Sequence, residues 1–365
     1  MSKSNLPLIL LGLGAVGGIV LLSSKGSRVN GGGGEWDDWG PGPTTNVVRT
    51  FSTNLGSLVG SFSKPSKFKA LVSVADKTSS GVVSEIRQFS YQGTSDDYSG
   101  WNPASTVKLY AAVSALLRAK ALGFTENTDI LFTGGSKSTQ ENLRSLVADA
   151  VGPSDNIAYN RLVQVSGYDF LNCDFLSPHN GIENTALRRA YAQTEWKSMG
   201  ESASFVDTPA LEFSEGSKYT SIPSEDGTCN TSFCYGAACT TLEDLSECLM
   251  RTMLQMSGSF NLGGSTRAWL GSILSSKRTR GEEMVTRLRS EISKVFSPGD
   301  ITIYHKAGFS LDWYSDVALI NIKGHPHSYT VCMAGYPGRD SLNSAAVAVG
   351  KAIAQGVFDT PTSWA

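Results

Sequence analysis

The segment spanning residues 106–123 is apolar on almost every face. Its hydrophobic residues do not keep to one stripe, as they would on a surface helix. A helix of this kind must be covered on all sides by other elements, so it predicts the centre of a domain. The chain has 365 residues, of which 40% are hydrophobic, and this is enough to build a sizeable core around such a helix.

Strand patterns lie on both sides of a helical region. Alternating apolar residues predict strands at 68–74 and 83–91, and ITIYHKAGF, DVALINIK and SYTVCMAGY predict three more near the C-terminus. Helical patterns cover residues 140–150, 156–165, 242–254, 266–274 and 343–358. We therefore expect an α+β fold, in which N- and C-terminal strands share one antiparallel sheet with a helical lobe inserted between them. A cleft between sheet and lobe would be a natural place for a site.

Residues 6–22, LPLILLGLGAVGGIVLL, form an unbroken apolar run. This length is near the short limit of about 17 residues for a membrane-spanning helix. No clear A-x-A cleavage site follows, which favours an uncleaved anchor over a signal peptide. We assign 1–24 to this signal-anchor or signal segment, 25–50 to a flexible linker rich in Gly, Pro and Ser, and 51–365 to the folded domain. The domain is expected outside the cytoplasm, periplasmic or extracellular, and either membrane-anchored or secreted.

The chain has six cysteines, and four of them fall between positions 229 and 248. In an exported protein such a cluster typically forms disulfides. Zinc is the competing interpretation, but no His lies within the cluster and C-x-x-C pairs are missing. We expect disulfides, no metal and no cofactor. Part of the cluster falls in a Cys-containing insertion around residues 200–240, near the expected cleft, which either shapes specificity, binds a partner or is a surface loop without function. The cysteines are Cys173, Cys229, Cys234, Cys239, Cys248 and Cys332.

The charge balance bears on the partners of the protein. The net charge is −2, and no run of Lys and Arg occurs. Nucleic-acid binding needs a basic patch or stripe, so nucleic acid is not an expected partner. The expected contacts are a small substrate and, through the N-terminal segment, a membrane.

The sequence Ser105-Thr106-Val107-Lys108 opens the central apolar helix. Residues three apart share a helix face, so the Lys108 amine is expected beside the Ser105 hydroxyl. A serine needs a base to become a nucleophile, and a buried lysine serves if it is neutral. Two other S-x-x-K spacings occur in SFSKPSKFK, but neither opens a buried helix. An ordinary helix N-cap is the alternative role for Ser105.

Two further short motifs follow along the chain. Ser154-Asp155-Asn156 precedes the helical run IAYNRLVQV, and Lys306-Ala307-Gly308 lies on a predicted strand. Gly308 would let a substrate backbone approach closely, and Lys306 would place positive charge beside a cleft. Each motif is weak alone, because Asp and Asn also suit an ordinary helix start.

Together, in this order, the three motifs correspond to the S-x-x-K, S-D-N and K-T-G signature of class A β-lactamases and penicillin-binding proteins. The sequence resembles this β-lactamase and D,D-peptidase superfamily over roughly residues 68–358. The resemblance implies that Ser105 forms an acyl-enzyme, that Lys108 takes or relays its proton, and that Ser154 carries a proton to the leaving nitrogen. The substrate would be a peptidoglycan peptide ending in D-Ala-D-Ala or a β-lactam.

The resemblance also implies roles in binding. Asn156 would bind the amide side chain of the substrate, and Lys306 would support its carboxylate. The backbone N–H groups of Ser105 and Phe309 would form the oxyanion hole.

The chain departs from the family pattern at two places. Ala307 stands where the family has Thr or Ser, so the hydroxyl that helps to hold a substrate carboxylate is missing, and Ser310 is a candidate substitute. The E-x-x-L-N segment, whose Glu activates the deacylating water in class A β-lactamases, is absent. Glu183 and Glu195 lie in the corresponding region without matching that motif.

Three functions remain open at this point. The first is a D,D-carboxypeptidase or transpeptidase-like acyl transferase, the second a true β-lactamase, and the third a non-catalytic binding or structural module. The complete set of Ser105, Lys108, Ser154, Asn156 and Lys306 favours an enzyme. The missing Glu motif favours a peptidase over a β-lactamase, because deacylation lacks its recognisable base.

Overall fold

The computed structural model describes residues 47–97, 99–133, 138–276 and 281–359. The predicted signal or anchor segment, residues 1–24, lies outside these ranges. No helix within them is both long enough and apolar enough to cross a bilayer.

Strands and helices are numbered here along the chain. The strands are β1 (Val48–Ser52), β2 (Lys67–Lys77), β3 (Val83–Ser90), β4 (Asp129–Phe132), β5 (Thr139–Asn142), β6 (Ala186–Leu187), β7 (Asp207–Thr208), β8 (Leu211–Glu215), β9 (Lys218–Ile222), β10 (Glu225–Asp226), β11 (Ala238–Cys239), β12 (Ile301–Ser310), β13 (Trp313–Ile322) and β14 (His327–Tyr336). The α-helices are α1 (Leu55–Val59), α2 (Lys108–Ala121), α3 (Leu143–Val151), α4 (Asn156–Ser166), α5 (Gln193–Ser198), α6 (Leu242–Met253), α7 (Gly264–Leu274), α8 (Glu283–Ile292) and α9 (Asn343–Ala354).

The central sheet has the strand order β1-β3-β2-β14-β13-β12. The expected sharing of one sheet by N- and C-terminal strands is confirmed, because β2 pairs antiparallel with β14. Two details differ from the prediction. The edge strand β1 runs parallel to β3, and it begins at Val48, inside the predicted linker 25–50. Parallel pairing needs a crossover connection, and the path through α1 and β2 supplies it.

Helices cover both faces of this sheet. The face carrying Leu71 and Val317 packs against the helical lobe, and the face carrying Val72 and Ile320 packs against α8 and α9. Within the lobe, α2 is buried almost all round, as its composition predicts. It packs against α3, α4 and α6, so the helix that begins just after Ser105 is held rigidly at the centre of the fold.

The helical lobe also contains a small sheet, β5-β4-β8-β9, that the sequence analysis did not predict. Strands β8 and β9 come from the predicted insertion around 200–240. The first three residues of the predicted helix 140–150 belong to β5, and α3 begins only at Leu143. The Asn142 side chain caps that helix by accepting hydrogen bonds from the N–H groups of Arg144 and Ser145.

Two disulfides lie in the described chain, Cys173–Cys229 and Cys234–Cys239. The prediction of disulfides is thus confirmed. Cys248 and Cys332 are buried free thiols. Among the described residues, no cluster of three or more His, Cys, Asp or Glu side chains is placed to hold a metal ion.

Candidate active site

Ser105 lies on a short 3-10 turn, Ala104–Val107, that leads directly into α2. The Asn102 side chain supports the start of this turn by accepting a 2.9 Å hydrogen bond from the Ala104 N–H. Ala104 has φ +46°, in the left-handed region that a residue with a Cβ atom seldom adopts. Ser105 is half-buried, and the turn holds it at the wall of a cleft.

Strand β12 passes very close to this turn at Gly308. A Cβ atom there would lie 2.6 Å from the Pro103 carbonyl oxygen and 2.7 Å from the Ser105 backbone nitrogen. Any larger side chain would push strand and turn apart. The backbone segment that approaches Gly308 closely is therefore the protein's own turn at Pro103 and Ser105. This close approach brings Ser105 and Phe309 to one cleft.

Lys108 is the first residue of α2 and is fully buried. Its Nζ donates to the carbonyl oxygen of Ser154 and, at 2.7 Å, to Oδ1 of Asn156. Its Nζ lies 3.4 Å from the Ser154 Oγ. The second motif reaches Lys108 because Asp155 caps α4, accepting a 2.7 Å hydrogen bond from a backbone N–H in the first turn. The first and second motifs thus meet at one buried amine.

Lys306 reaches the same hydroxyl from the sheet. It is fully buried on β12, and its Nζ donates 2.9 Å hydrogen bonds to Ser154 Oγ and to the Ala307 carbonyl oxygen. Ser154 has φ +66°, again in the left-handed region. The Ser154 hydroxyl therefore lies between the side-chain nitrogens of two lysines, Lys108 from the helical lobe and Lys306 from the sheet.

A buried polar group lies behind Lys306. Asp316 on β13 lies 3.3 Å from His305 Nδ1. Burial raises the pKa of Asp316, while the nearby His305 and Lys306 act to lower it. The Tyr314 hydroxyl donates a 2.8 Å hydrogen bond to the Gly281 carbonyl oxygen and lies 3.3 Å from Asp316. This group places an acidic side chain near the buried lysine of the third motif.

The cleft between sheet and lobe has a volume of about 880 Å³. The structure brings five of the seven predicted site residues to its lining, namely Ser105, Ser154, Asn156, Gly308 and Phe309. The two lysines lie just beneath it, where they contact Ser154 and Asn156. The predicted site residues therefore form one constellation, although they come from three distant parts of the chain.

No carboxylate lines the cleft among the residues that the structure describes. Glu183 is not part of the lining; its backbone N–H donates to Asp244 at 3.3 Å. Glu195 lines a smaller neighbouring cavity together with Asp149 and Ser154. Glu183 therefore lines neither cavity, and Glu195 lines the neighbouring one, which shares Ser154 and Asn156 with the main cleft.

Sequence reasoning missed Tyr191 and Arg339, which also line the cleft. Tyr191 belongs to no motif, and the irregular segment that carries it gives no periodic signal. Only Pro337 and Gly338 separate Arg339 from the end of β14. Its guanidinium lies 4.8 Å from the centre of the Phe309 ring and 4.0 Å from Glu283. The sequence did offer one signal for Arg339, because a charged residue in a loop at the end of a strand often takes part in binding.

The sequence profile of the β-lactamase enzyme family matches residues 65–357. No curated protein sequence matches the chain.

Several solved structures share the fold. An ancestral (GNCA) class A β-lactamase is 20% identical with a TM-score of 0.52, over 83% of this chain and 98% of that one. The class A β-lactamase of the last common ancestor of Gram-negative bacteria is 18% identical with a TM-score of 0.50, over 80% and 93%. The L2 protein complexed with relebactam is 15% identical with a TM-score of 0.50, over 79% and 91%. At these identities the similarity shows the fold.

Proposed function

Since the chain belongs to the β-lactamase enzyme family, we propose that it is a serine acyl transferase that forms an acyl-enzyme on Ser105. Its substrates are peptidoglycan peptides ending in D-Ala-D-Ala, and β-lactams bind the same site. One observation carries the proposal: the Ser154 hydroxyl shares a cleft with Ser105 and contacts both Lys108 and Lys306. This arrangement supports the assignment of Ser105 as nucleophile, Lys108 as base and Ser154 as proton carrier, because a serine nucleophile needs a base nearby.

Lys108 is the proposed base in acylation. As a neutral amine it has two N–H groups, which would serve the Ser154 carbonyl and the Asn156 amide oxygen, and its lone pair would take the Ser105 proton. Lys306 lies on the other side of Ser154, and repulsion between two buried cations favours one neutral lysine. Ser105 Oγ then attacks the substrate carbonyl carbon, and the carbonyl oxygen becomes an oxyanion.

Ser154 is the proposed carrier of the proton to the leaving nitrogen. Its oxygen accepts a hydrogen bond from Lys306, so its own proton can point into the cleft. When the C–N bond of the substrate breaks, Ser154 gives this proton to the nitrogen and is reprotonated from Lys108. The proton lost by Ser105 thus reaches the leaving group without passing through bulk water.

The proposed oxyanion hole uses the backbone N–H groups of Ser105 and Phe309. Gly308 allows the two chain segments to approach closely enough for both to line the cleft. Donors that are fixed before the reaction can each contribute about 3–4 kcal/mol to transition-state stabilisation. Asn156 is proposed to hold the amide side chain of the substrate from the opposite wall.

Arg339 is proposed to bind the substrate carboxylate together with Ser310. Ala307 has no hydroxyl to offer, and Lys306 is engaged below the cleft with Ser154. Arg339 and Ser310 both line the cleft, and Arg339 is exposed at its rim. Guanidinium groups pair well with carboxylates, which both D-Ala peptides and β-lactams carry.

The composition of the cleft lining favours a peptidase or transpeptidase over a β-lactamase. Hydrolysis of an acyl-enzyme needs a base for the attacking water, and the described cleft lining holds no carboxylate. True β-lactamase activity is the second candidate function. A non-catalytic module is the third, but the complete nucleophile, base and proton-carrier set would then serve no purpose.

We also propose that the domain works outside the cytoplasm, anchored through the apolar run at residues 6–22. Membership of this family and two disulfides both fit export to an oxidising compartment. Residues 25–47 would then act as the linker to a catalytic domain that begins with β1.

The peptide activity is tested by measuring D-Ala release. The purified protein is incubated with a short peptide that ends in L-Lys-D-Ala-D-Ala, and free D-Ala is quantified over time. The proposal expects release by the wild type and none by Ser105→Ala. Release that is unchanged in Ser105→Ala would contradict it, and wild-type protein without release would remove D-Ala peptides as substrates.

A further inference from the structure

The side chain of Tyr191 lies against the turn that carries Ser105. Its hydroxyl donates a 2.9 Å hydrogen bond to the carbonyl oxygen of Ala104, the residue just before the nucleophile. Ala104 has φ +46°, a left-handed conformation that disfavours any residue with a Cβ atom. The hydrogen bond therefore fixes a strained backbone at the point where Ser105 needs a constant position.

The backbone of Tyr191 is itself held by Asn160. The Asn160 side chain accepts from the Tyr191 N–H and donates to the Tyr191 carbonyl oxygen, both at 2.9 Å. Asn160 lies one turn after Asn156 on α4, so the two share a helix face. Since Asn156 binds Lys108, this face holds both the proposed base and the tyrosine that supports the nucleophile turn.

A second tyrosine beside the first provides a natural comparison. The rings of Tyr191 and Tyr159 pack with their centroids 4.8 Å apart. The Tyr159 ring lies 6.0 Å from Lys108 Nζ, but within the described chain the buried Tyr159 hydroxyl has no hydrogen-bond partner. The two side chains are equal in size and adjacent, and they differ in that the Tyr191 hydroxyl contacts the nucleophile turn.

The Tyr191 hydroxyl stays a donor at neutral pH. Burial raises the pKa of this phenol, so it remains protonated and keeps its bond to the Ala104 carbonyl. An ionised phenolate would be an acceptor facing another acceptor. The contact is therefore maintained over the pH range in which a serine enzyme of this kind would work.

We propose that Tyr191 is a positioning residue for Ser105, acting through its hydrogen bond to the Ala104 carbonyl and clamped in place by Asn160. The proposal rests on the proposed function, because it concerns the rate at which the same serine is acylated. Misplacement of a reacting group by about 1 Å can slow a reaction about 100-fold. Loss of this single hydroxyl should therefore slow acylation and leave substrate binding nearly unchanged.

The test compares Tyr191→Phe with Tyr159→Phe, each of which removes one hydroxyl from the same ring pair. The first-order acylation rate at saturating penicillin and the penicillin dissociation constant are measured separately by stopped-flow. Tyr191→Phe is expected to lower the rate constant about 10- to 100-fold with little change in affinity. Tyr159→Phe is expected to acylate like the wild type. A wild-type rate in Tyr191→Phe, or equal losses in both variants, would overturn the proposal.

A second probe separates this proposal from the proposed function. A fluorophosphonate phosphonylates an activated serine hydroxyl and needs no lactam recognition. If it labels Ser105 in the wild type while penicillin does not, the proposed substrates are wrong, and the ratio of labelling rates for the two variants still decides the role of Tyr191. If neither reagent labels Ser105, both proposals fail together.

A further variant covers the case in which Tyr191→Phe does not fold. Asn160→Ala removes both hydrogen bonds that hold the Tyr191 backbone, so Tyr191 can shift away from Ala104, while both tyrosine side chains are kept. It should lower the acylation rate in the same direction, and circular dichroism reports whether the variant is folded. A folded Asn160→Ala protein that acylates at the wild-type rate would overturn the proposal.

Discussion

The Lys306 ammonium donates a 2.9 Å hydrogen bond to the Ser154 hydroxyl, although 152 positions separate the two residues in the chain. This contact joins the sheet to the helical lobe across the floor of the cleft. Lys108 approaches the same hydroxyl from α2, at 3.4 Å. The three motifs therefore act as one unit only when both halves of the fold are assembled, and each half alone lacks part of the proposed chemistry.

Removal of the Lys306 charge should abolish most of the acylation activity. Lys306→Met keeps the apolar stem but cannot donate to Ser154, so the proposed proton carrier loses its orientation. We expect acylation by penicillin to fall about 10²–10⁴-fold, the usual contribution of a positioned acid or base. Lys351→Met, an exposed lysine on α9, is the matched control and should acylate normally. A folded Lys306→Met protein with wild-type acylation would rule out this role.

Arg339 should determine the preference for a free carboxylate. Arg339→Ala should weaken the apparent affinity for penicillin about tenfold, because a hydrogen bond between charged groups is lost. The methyl ester of the same penicillin has no carboxylate, so its affinity should be unaffected, and Arg339→Lys should retain part of the preference. Equal effects of Arg339→Ala on acid and ester would show that the residue does not bind the carboxylate.

Gly308 should tolerate no side chain. Gly308→Ala would place a Cβ atom 2.6 Å from the Pro103 carbonyl oxygen, and we expect a loss of about 1–3 kcal/mol in the free energy of unfolding. Gly299→Ala is the control, since no atom lies within 4 Å of its Cβ position. Urea denaturation of the two variants measures the difference. Equal stabilities would mean that strand and turn are not in close contact.

Sequence patterns predicted the overall arrangement of sheet and helical lobe, but not every element within it. Ser105, Ser154 and Lys306 lie in short motifs whose order along the chain is itself a signal; Ser105 and Ser154 line one cleft, and Lys306 contacts Ser154, while their catalytic roles stay predictions. The small sheet in the lobe was missed because β8 and β9 are short, half-exposed strands in an irregular insertion. Tyr191 was missed because its contact to Ala104 joins two loops 87 positions apart, which no local pattern reveals.

The thiol count should distinguish the two cysteine classes. Four cysteines form the two disulfides, and Cys248 and Cys332 are buried free thiols. Burial raises the pKa of both thiols, so neither should react in the folded protein. We expect Ellman's reagent to find two thiols after denaturation without reductant and six after reduction. Six thiols without reductant would show that the disulfides do not form.

The central claim is that Ser105 is acylated quickly and released slowly, because the described cleft supplies groups for acylation and no carboxylate for the deacylating water. Intact-mass spectrometry of the purified protein mixed with excess penicillin, followed over hours after removal of free drug, tests both halves at once. We predict a single penicilloyl adduct on the wild type that persists, no adduct on Ser105→Ala, and no sustained nitrocefin hydrolysis. An adduct that forms on Ser105→Ala, or rapid sustained nitrocefin turnover by the wild type, would contradict the account.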